Sequence, residues 1–126
     1  MYRGLLGAAV LAAALAAGGA ASAHHSGAMY DPQKTTTLSG TISQFEWANP
    51  HAWVHLEVRD PATKQTTAWV FESLGTNQLT RAGWKRDSLK AGDKAEVAFN
   101  PLRDGSHGGR VVSVNVGGKV IGVRPE

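Results

Sequence analysis

The sequence predicts an all-β domain, a small five- to six-stranded barrel with one short helix after the third strand, preceded by a leader that is cleaved off. Three observations carry that expectation. The 126-residue chain is 42% hydrophobic and 18% charged, ordinary globular proportions that allow one modest domain with its own core and exclude multidomain machinery. From residue 35 onward, short β-branched or alternating runs recur between turns rich in glycine, proline and asparagine. Only one short internal segment, 77–82, reads as helix, and it falls between the third and fourth of these runs.

The leader comes first. Met1-Tyr2-Arg3 supplies one positive charge, residues 5–17 are apolar, and Gly18-Gly19-Ala20-Ala21-Ser22-Ala23 ends in a small-x-small site, the layout of a secretory signal peptide cut after Ala23. The alternative is an uncleaved anchor, because residues 4–23 form an uncharged stretch of 20, about a membrane span in length. Alanine and glycine insert weakly compared with leucine or isoleucine, which favours cleavage and leaves no membrane anchor. Removing 23 of the 126 residues leaves 103 that begin His24-His25-Ser26, with 12 basic residues against 10 acidic ones because Arg3 departs with the leader. The expected compartment is the periplasm, and without cysteine the exported chain must be held by burial alone.

The mature chain divides into an arm, 24–34, and a barrel domain, 35–126. The arm lacks periodicity and contains Asp31-Pro32. The first strand is expected over 35–47. Leu38, Gly40 and Ile42 share one face while Phe45 and Trp47 fall on the other parity, so a bulge near Ser43-Gln44 is needed to bring all five inward. After the Asn49-Pro50 turn, the second strand, 51–59, alternates Ala52, Val54, Leu56 and Val58 on the core side with His51, Trp53, His55 and Glu57 opposite. The third strand, 67–73, sets Trp69 and Phe71 against Ala68 and Val70 and could be covered on both faces. Thr76 is a candidate cap for the helix at 77–82, which turns Leu79 inward and stops at Gly83. A fourth strand, 94–100, presents Ala95, Val97 and Phe99 alike. A fifth, 110–116, presents Val112, Val114 and Val116, and Gly117-Gly118 turns into a last strand, 119–123. Five strands interrupted by a helix after the third is the succession of an OB-type barrel, with an open β-sandwich as the alternative.

The segments Ala23-His24-His25-Ser26, Tyr30-Asp31, Leu38-Ser39-Gly40-Thr41, Phe45-Glu46-Trp47-Ala48-Asn49-Pro50-His51, Arg81-Ala82-Gly83-Trp84, Leu89-Lys90-Ala91-Gly92-Asp93 and Arg103-Asp104-Gly105 occur in that order across nearly all of the mature chain. In this the chain resembles a bacterial exported family catalogued as domain of unknown function 6152. The resemblance implies export and a shared fold and brings no established activity, so function has to be read from the residues.

All five histidines, at 24, 25, 51, 55 and 107, lie in the mature chain. With no thiolate available, imidazole, carboxylate and the new terminal amine favour copper, nickel or zinc. Cleavage after Ala23 makes His24 the terminal residue, whose amine and ring nitrogen can chelate one Cu(II), with a second imidazole completing the site. Cleavage one residue earlier places His25 third, where amine, two amides and imidazole form a square-planar site. An exposed end with two incidental histidines is the competing reading. His51 and His55 would be about 13 Å apart on a strand, too far to share an ion conveniently. His51, at a strand start after a turn, is therefore the better partner for His24, and the metal-site candidates are His24, His25 and His51. His107 lies in a glycine-rich loop expected to face solvent.

Other chemistry is thin. There is no cysteine nucleophile, no strand-to-helix setting for Ser106, and no glycine-rich turn before a helix. Glu46, Glu57 and Glu72 could supply a carboxylate pair only if two converged. Asn49, Trp53 and His55 form a candidate ligand surface, since Trp53 points away from the aliphatic face and OB-type barrels take ligands across the second and third strands. Trp47 and Trp84 have no assigned direction. The near-neutral mature charge favours a sugar, peptide or envelope protein and excludes nucleic acid as partner. The sequence thus points to a periplasmic binding module, with copper as candidate cofactor. The alternatives are a small copper oxidoreductase, in which an open position beside His24 activates oxygen or peroxide, and an oligosaccharide- or protein-binding module without metal.

Overall fold

The computed structural model describes residues 25–124, apart from the side chains of His25 and Ser26. The leader, its cleavage site and His24 lie outside those residues. One helical turn, α1 (His25–Ala28), precedes β1 (Thr36–Glu46), β2 (Trp53–Arg59) and β3 (Thr66–Glu72). Then come α2 (Thr76–Arg81), β4 (Lys94–Pro101), β5 (Gly108–Val116) and β6 (Lys119–Gly122). The strands run β3-β2-β1-β4-β5-β6, and a parallel pairing of β3 with β5 closes the first five into a barrel, leaving β6 as a hairpin partner of β5. This is the OB-like succession expected from the sequence, and the closure rules out the open sandwich.

Local chemistry accounts for each element. The pairing of β1 with β2 slips between Ile42 and Gln44, so Ile42 and Phe45 both face inward despite their opposite parity. The expected bulge is where the alternation breaks. On and just before β2, Ala52, Val54 and Leu56 are completely buried, with Phe71 of β3 equally buried opposite Val54. Two strand glycines are sterically required: a Cβ at Gly40 would strike the Glu57 carbonyl oxygen, and one at Gly109 would strike the Asn100 carbonyl oxygen and the Phe99 ring. Ile42, Val54, Leu56, Phe71, Leu79, Trp84, Val97, Phe99 and Val114 form the sealed centre of the core. Burying each such side chain contributes roughly 1.5–3 kcal/mol.

Four expectations need correction. The second strand begins at Trp53, so His51 stands in the β1–β2 loop and not on the strand; the cis peptide bond between Asn49 and Pro50 lies in the same loop. Helix α2 begins at Thr76 with Gly75 as its cap. Thr76 needs no self-made cap because Asn49 reaches across from that loop: Asn49 Oδ1 accepts from the Thr76 backbone N–H at 2.9 Å, and Asn49 Nδ2 donates to Thr76 Oγ1 at 2.9 Å. In β5 a second register slip, opposite Ala98 and Phe99, breaks the alternation, burying Val111 and leaving Val112 39% exposed. Finally, β3 is covered on its outer face only near its end, since Ala68 and Val70 are exposed whereas Glu72 is buried.

Candidate functional site

The covering of Glu72 is where the residues with chemistry meet. Glu72 ends β3, paired in register with Trp53 of β2 on one side and Arg110 of β5 on the other. Residues directly opposite in a sheet share a face, so Glu72, Trp53 and Arg110 all stand on the outside of the barrel. Glu72 is nevertheless only 6% exposed, because Tyr30 lies over it. The Tyr30 hydroxyl donates to Glu72 Oε2, and the Arg110 guanidinium carbon sits 4.9 Å from the centroid of the Tyr30 ring. Burial, reinforced by the adjacent Glu72 carboxylate, pushes the Tyr30 phenol far above its ordinary value while Arg110 pulls it back only in part. Tyr30 is therefore a proton donor throughout the neutral range.

The other oxygen of Glu72 faces His51. His51 Nδ1 is 3.2 Å from Glu72 Oε1 and 3.1 Å from the Ser73 carbonyl oxygen. A carbonyl oxygen only accepts, so Nδ1 carries a proton and Nε2 is the ring nitrogen not used in these contacts. The His51 side chain is 37% exposed. An imidazole held at one nitrogen by a carboxylate and a carbonyl, with the other nitrogen free to coordinate, has the orientation that metal-ligating histidines take from their supporting groups.

The remaining candidates are placed as follows. His25 opens α1. Asn49 is engaged in holding the start of α2. Trp53 is half-buried on β2, in register with Glu46 of β1 and Glu72 of β3. His55 donates from Nε2 to Glu46 Oε2 at 2.7 Å. His107 is exposed, with its ring centroid 4.8 Å from that of Trp69. Of the histidines expected to contribute, His51 and His55 thus belong to two separate carboxylate pairs. Among the described residues no three of His, Cys, Asp and Glu converge on one point. A metal bound here would need ligands from the terminus as well as His51. Trp47 and Trp84 both turn toward Phe45, with ring centroids 5.9 and 5.8 Å away.

Sequence reasoning missed Tyr30, Arg110 and the special burial of Glu72. Tyr30-Asp31 is visible as a motif, but nothing local distinguishes a tyrosine in an aperiodic arm from a solvated one. The contact that defines it spans 42 residues.

Known proteins bear on the fold. The model of a family described as "Family of unknown function (DUF6152)" matches residues 12–111. No curated protein matches the chain. Among solved structures, the mitochondrial single-stranded DNA-binding protein Rim1 of S. cerevisiae is similar with a TM-score of 0.51 at 12% identity, covering 66% of this chain and 92% of its own. That neighbour overturns the exclusion of nucleic acid drawn from charge. The thin basic charge argues only about phosphate contacts, whereas barrels of this fold can hold single strands by stacking bases on aromatic side chains, which net charge does not report.

Proposed function

Since the chain belongs to the DUF6152 family of unknown function, for which no activity serves as a guide, we propose from the site itself that it is a small exported binding module. In this reading it takes Cu(II) between its processed terminus and His51. The observation that carries this is the anchoring of His51, whose Nδ1 is held on Ser73 and Glu72 while its side chain stays part-exposed. The terminal amine and ring of His24 supply two further nitrogens, and His25 serves instead if the leader is cut one residue earlier. His24 is six residues from Tyr30, so the chain keeps the terminus within about 21 Å of the Tyr30 backbone. Periplasmic location follows from the same leader that creates the terminus.

Titration of mature protein with Cu(II), with the terminus free and then acetylated, tests the proposal. Tight binding should disappear on acetylation and weaken in His51→Ala, with loss of one nitrogen from the paramagnetic resonance pattern. Equal affinity in the free and acetylated forms would refute it.

A second reading rests on Trp53, half-buried on the outer face with Glu46 and Glu72 in register on either side. An indole beside the part-exposed carboxylate of Glu46 suits the apolar face and hydroxyls of a neutral oligosaccharide, Glu72 being taken up by Tyr30 and His51. Tryptophan fluorescence titrations with neutral oligosaccharides and with a single-stranded DNA oligonucleotide, in wild type and Trp53→Ala, decide it. Saturable quenching by a sugar that vanishes in the variant supports this reading, quenching by DNA alone shifts the ligand class to that of the structural neighbour, and no response to either overturns it.

A further inference from the structure

The parallel pairing that closes the barrel is short. Val70, Phe71 and Glu72 of β3 meet Gly108, Gly109 and Arg110 of β5, and the ladder ends there. The chain leaving β6 is fastened beside this seam: Val123 N–H donates to the Val112 carbonyl at 3.2 Å, and the Trp84 indole N–H donates to the Gly122 carbonyl at 2.8 Å. Past the end of the ladder lies a cavity of about 350 Å³, whose lining includes Ser73, Leu74, Arg110, Val112, Val123 and Arg124. Small-molecule sites have volumes of about 300–1,000 Å³, so the space is sufficient for a small ligand. Ser73 marks it chemically. Its backbone is fully used, the N–H donating to the Ala52 carbonyl at 2.8 Å and the carbonyl accepting from His51 Nδ1. The residue is 5% exposed, yet its hydroxyl oxygen has no hydrogen-bond partner among the described residues. A buried hydroxyl without a partner is costly, and the adjoining cavity is where a partner can enter.

We propose that this cavity is a binding site for a small monocarboxylate with an aromatic or branched apolar body. The inference is independent of the Cu(II) reading. Two guanidinium groups, of Arg110 and Arg124, belong to the lining, and no acidic residue does. Glu72, in register with Arg110, stands outside the lining, and its two oxygens are engaged by the Tyr30 hydroxyl and His51 Nδ1. The Arg110 guanidinium is steadied over the Tyr30 ring, while Arg124 is exposed and available to draw an anion in. Guanidinium groups match the planar fork of a carboxylate, and the Ser73 hydroxyl donates to the same group. Leu74, Val112 and Val123 then receive the apolar body. A fully polar anion such as inorganic phosphate fits less well, because oxygen atoms set against those walls would lose water without gaining a partner.

The test titrates metal-free mature protein with benzoate, benzyl alcohol and inorganic phosphate and follows backbone amide chemical shifts. Benzoate should move the Leu74, Val112 and Val123 amides saturably. Benzyl alcohol, which keeps the ring without the charge, and phosphate, which keeps charge without the ring, should each bind at least roughly 10-fold more weakly. Arg124→Gln and Ser73→Ala should each weaken benzoate by roughly 10- to 100-fold, the worth of a hydrogen bond to a charged group. Val112→Glu, at a position 39% exposed, sets a carboxylate in the lining and should abolish binding. A merely structural role for Ser73 is separated by thermal melts without ligand. Ser73→Ala should melt no lower than wild type, because the hydroxyl it removes has no partner to lose. A lower melt would show the hydroxyl already satisfied in the free protein and would overturn its place in the site. No benzoate-induced shift at these amides, equal binding of benzyl alcohol or phosphate, or wild-type benzoate affinity in Arg124→Gln and Ser73→Ala would overturn the proposal, whatever the copper titrations give.

Discussion

Tyr30→Phe removes one oxygen atom from the molecule, and the structure sets what that should cost. The lost hydrogen bond runs to a carboxylate that is 6% exposed, so water cannot stand in for the phenol. Hydrogen bonds to charged groups contribute about 1.5–3 kcal/mol, and a loss of about 2 kcal/mol in a domain near 100 residues corresponds to a fall of about 8–16 °C in Tm. Alkaline pH supplies a second, independent signature. Burial and the Glu72 carboxylate raise the Tyr30 phenol above its ordinary value in the folded protein, so the unfolded chain loses its phenolic proton first. Stability from this group is therefore intact below about pH 10 and declines as pH rises further, by up to about 1.4 kcal/mol per pH unit. The Tyr30→Phe variant has no such proton to lose. Urea midpoints should show wild type ahead by about 2 kcal/mol at pH 8, with the gap closing to zero at about pH 11.5. A constant gap, or none at either pH, would refute the assignment of Tyr30 as the buried donor to Glu72.

Further expectations follow from the core and the terminus. Val54→Asp or Leu56→Asp should abolish the cooperative thermal transition, because both positions are completely buried and an unpaired charge there costs several kcal/mol out of a total of about 5–15. Glu57→Ala, exposed on the same strand, should change stability by about 0.5 kcal/mol or less, and the opposite ranking in circular-dichroism melts would show that the strand register is wrong. Gly109→Ala should destabilise by about 1–3 kcal/mol, since the added methyl would press on the Asn100 carbonyl and the Phe99 ring; a neutral melt would mean that β4 and β5 are less closely apposed. N-terminal sequencing of protein recovered from the periplasm should read His24-His25-Ser26, and a start at Met1 would remove the terminal amine from any metal site.

Much of the fold was legible because it is written at short range. Strict alternation from Ala52 to Val58 marked the second strand, the parity break between Ile42 and Phe45 marked the bulge, and Leu79 before Gly83 marked the helix and its end. Where long-range contacts competed, local reading erred. Thr76 looked like a cap until Asn49, 27 residues away, took the helix N–H, and Val112 looked buried until the slip opposite Ala98 and Phe99 turned it outward. For the site, the histidines, the absence of thiols and the candidate terminus were all apparent in the residues themselves. What only the tertiary structure decided is which histidine is oriented and by what. The parallel β3–β5 pairing sets Arg110 beside Glu72, and the docked arm places Tyr30 over both. A glutamate on an outer strand face reads as solvated from sequence, because burial is a property of what arrives from elsewhere in the chain. Periodicity records only the strand's own two faces.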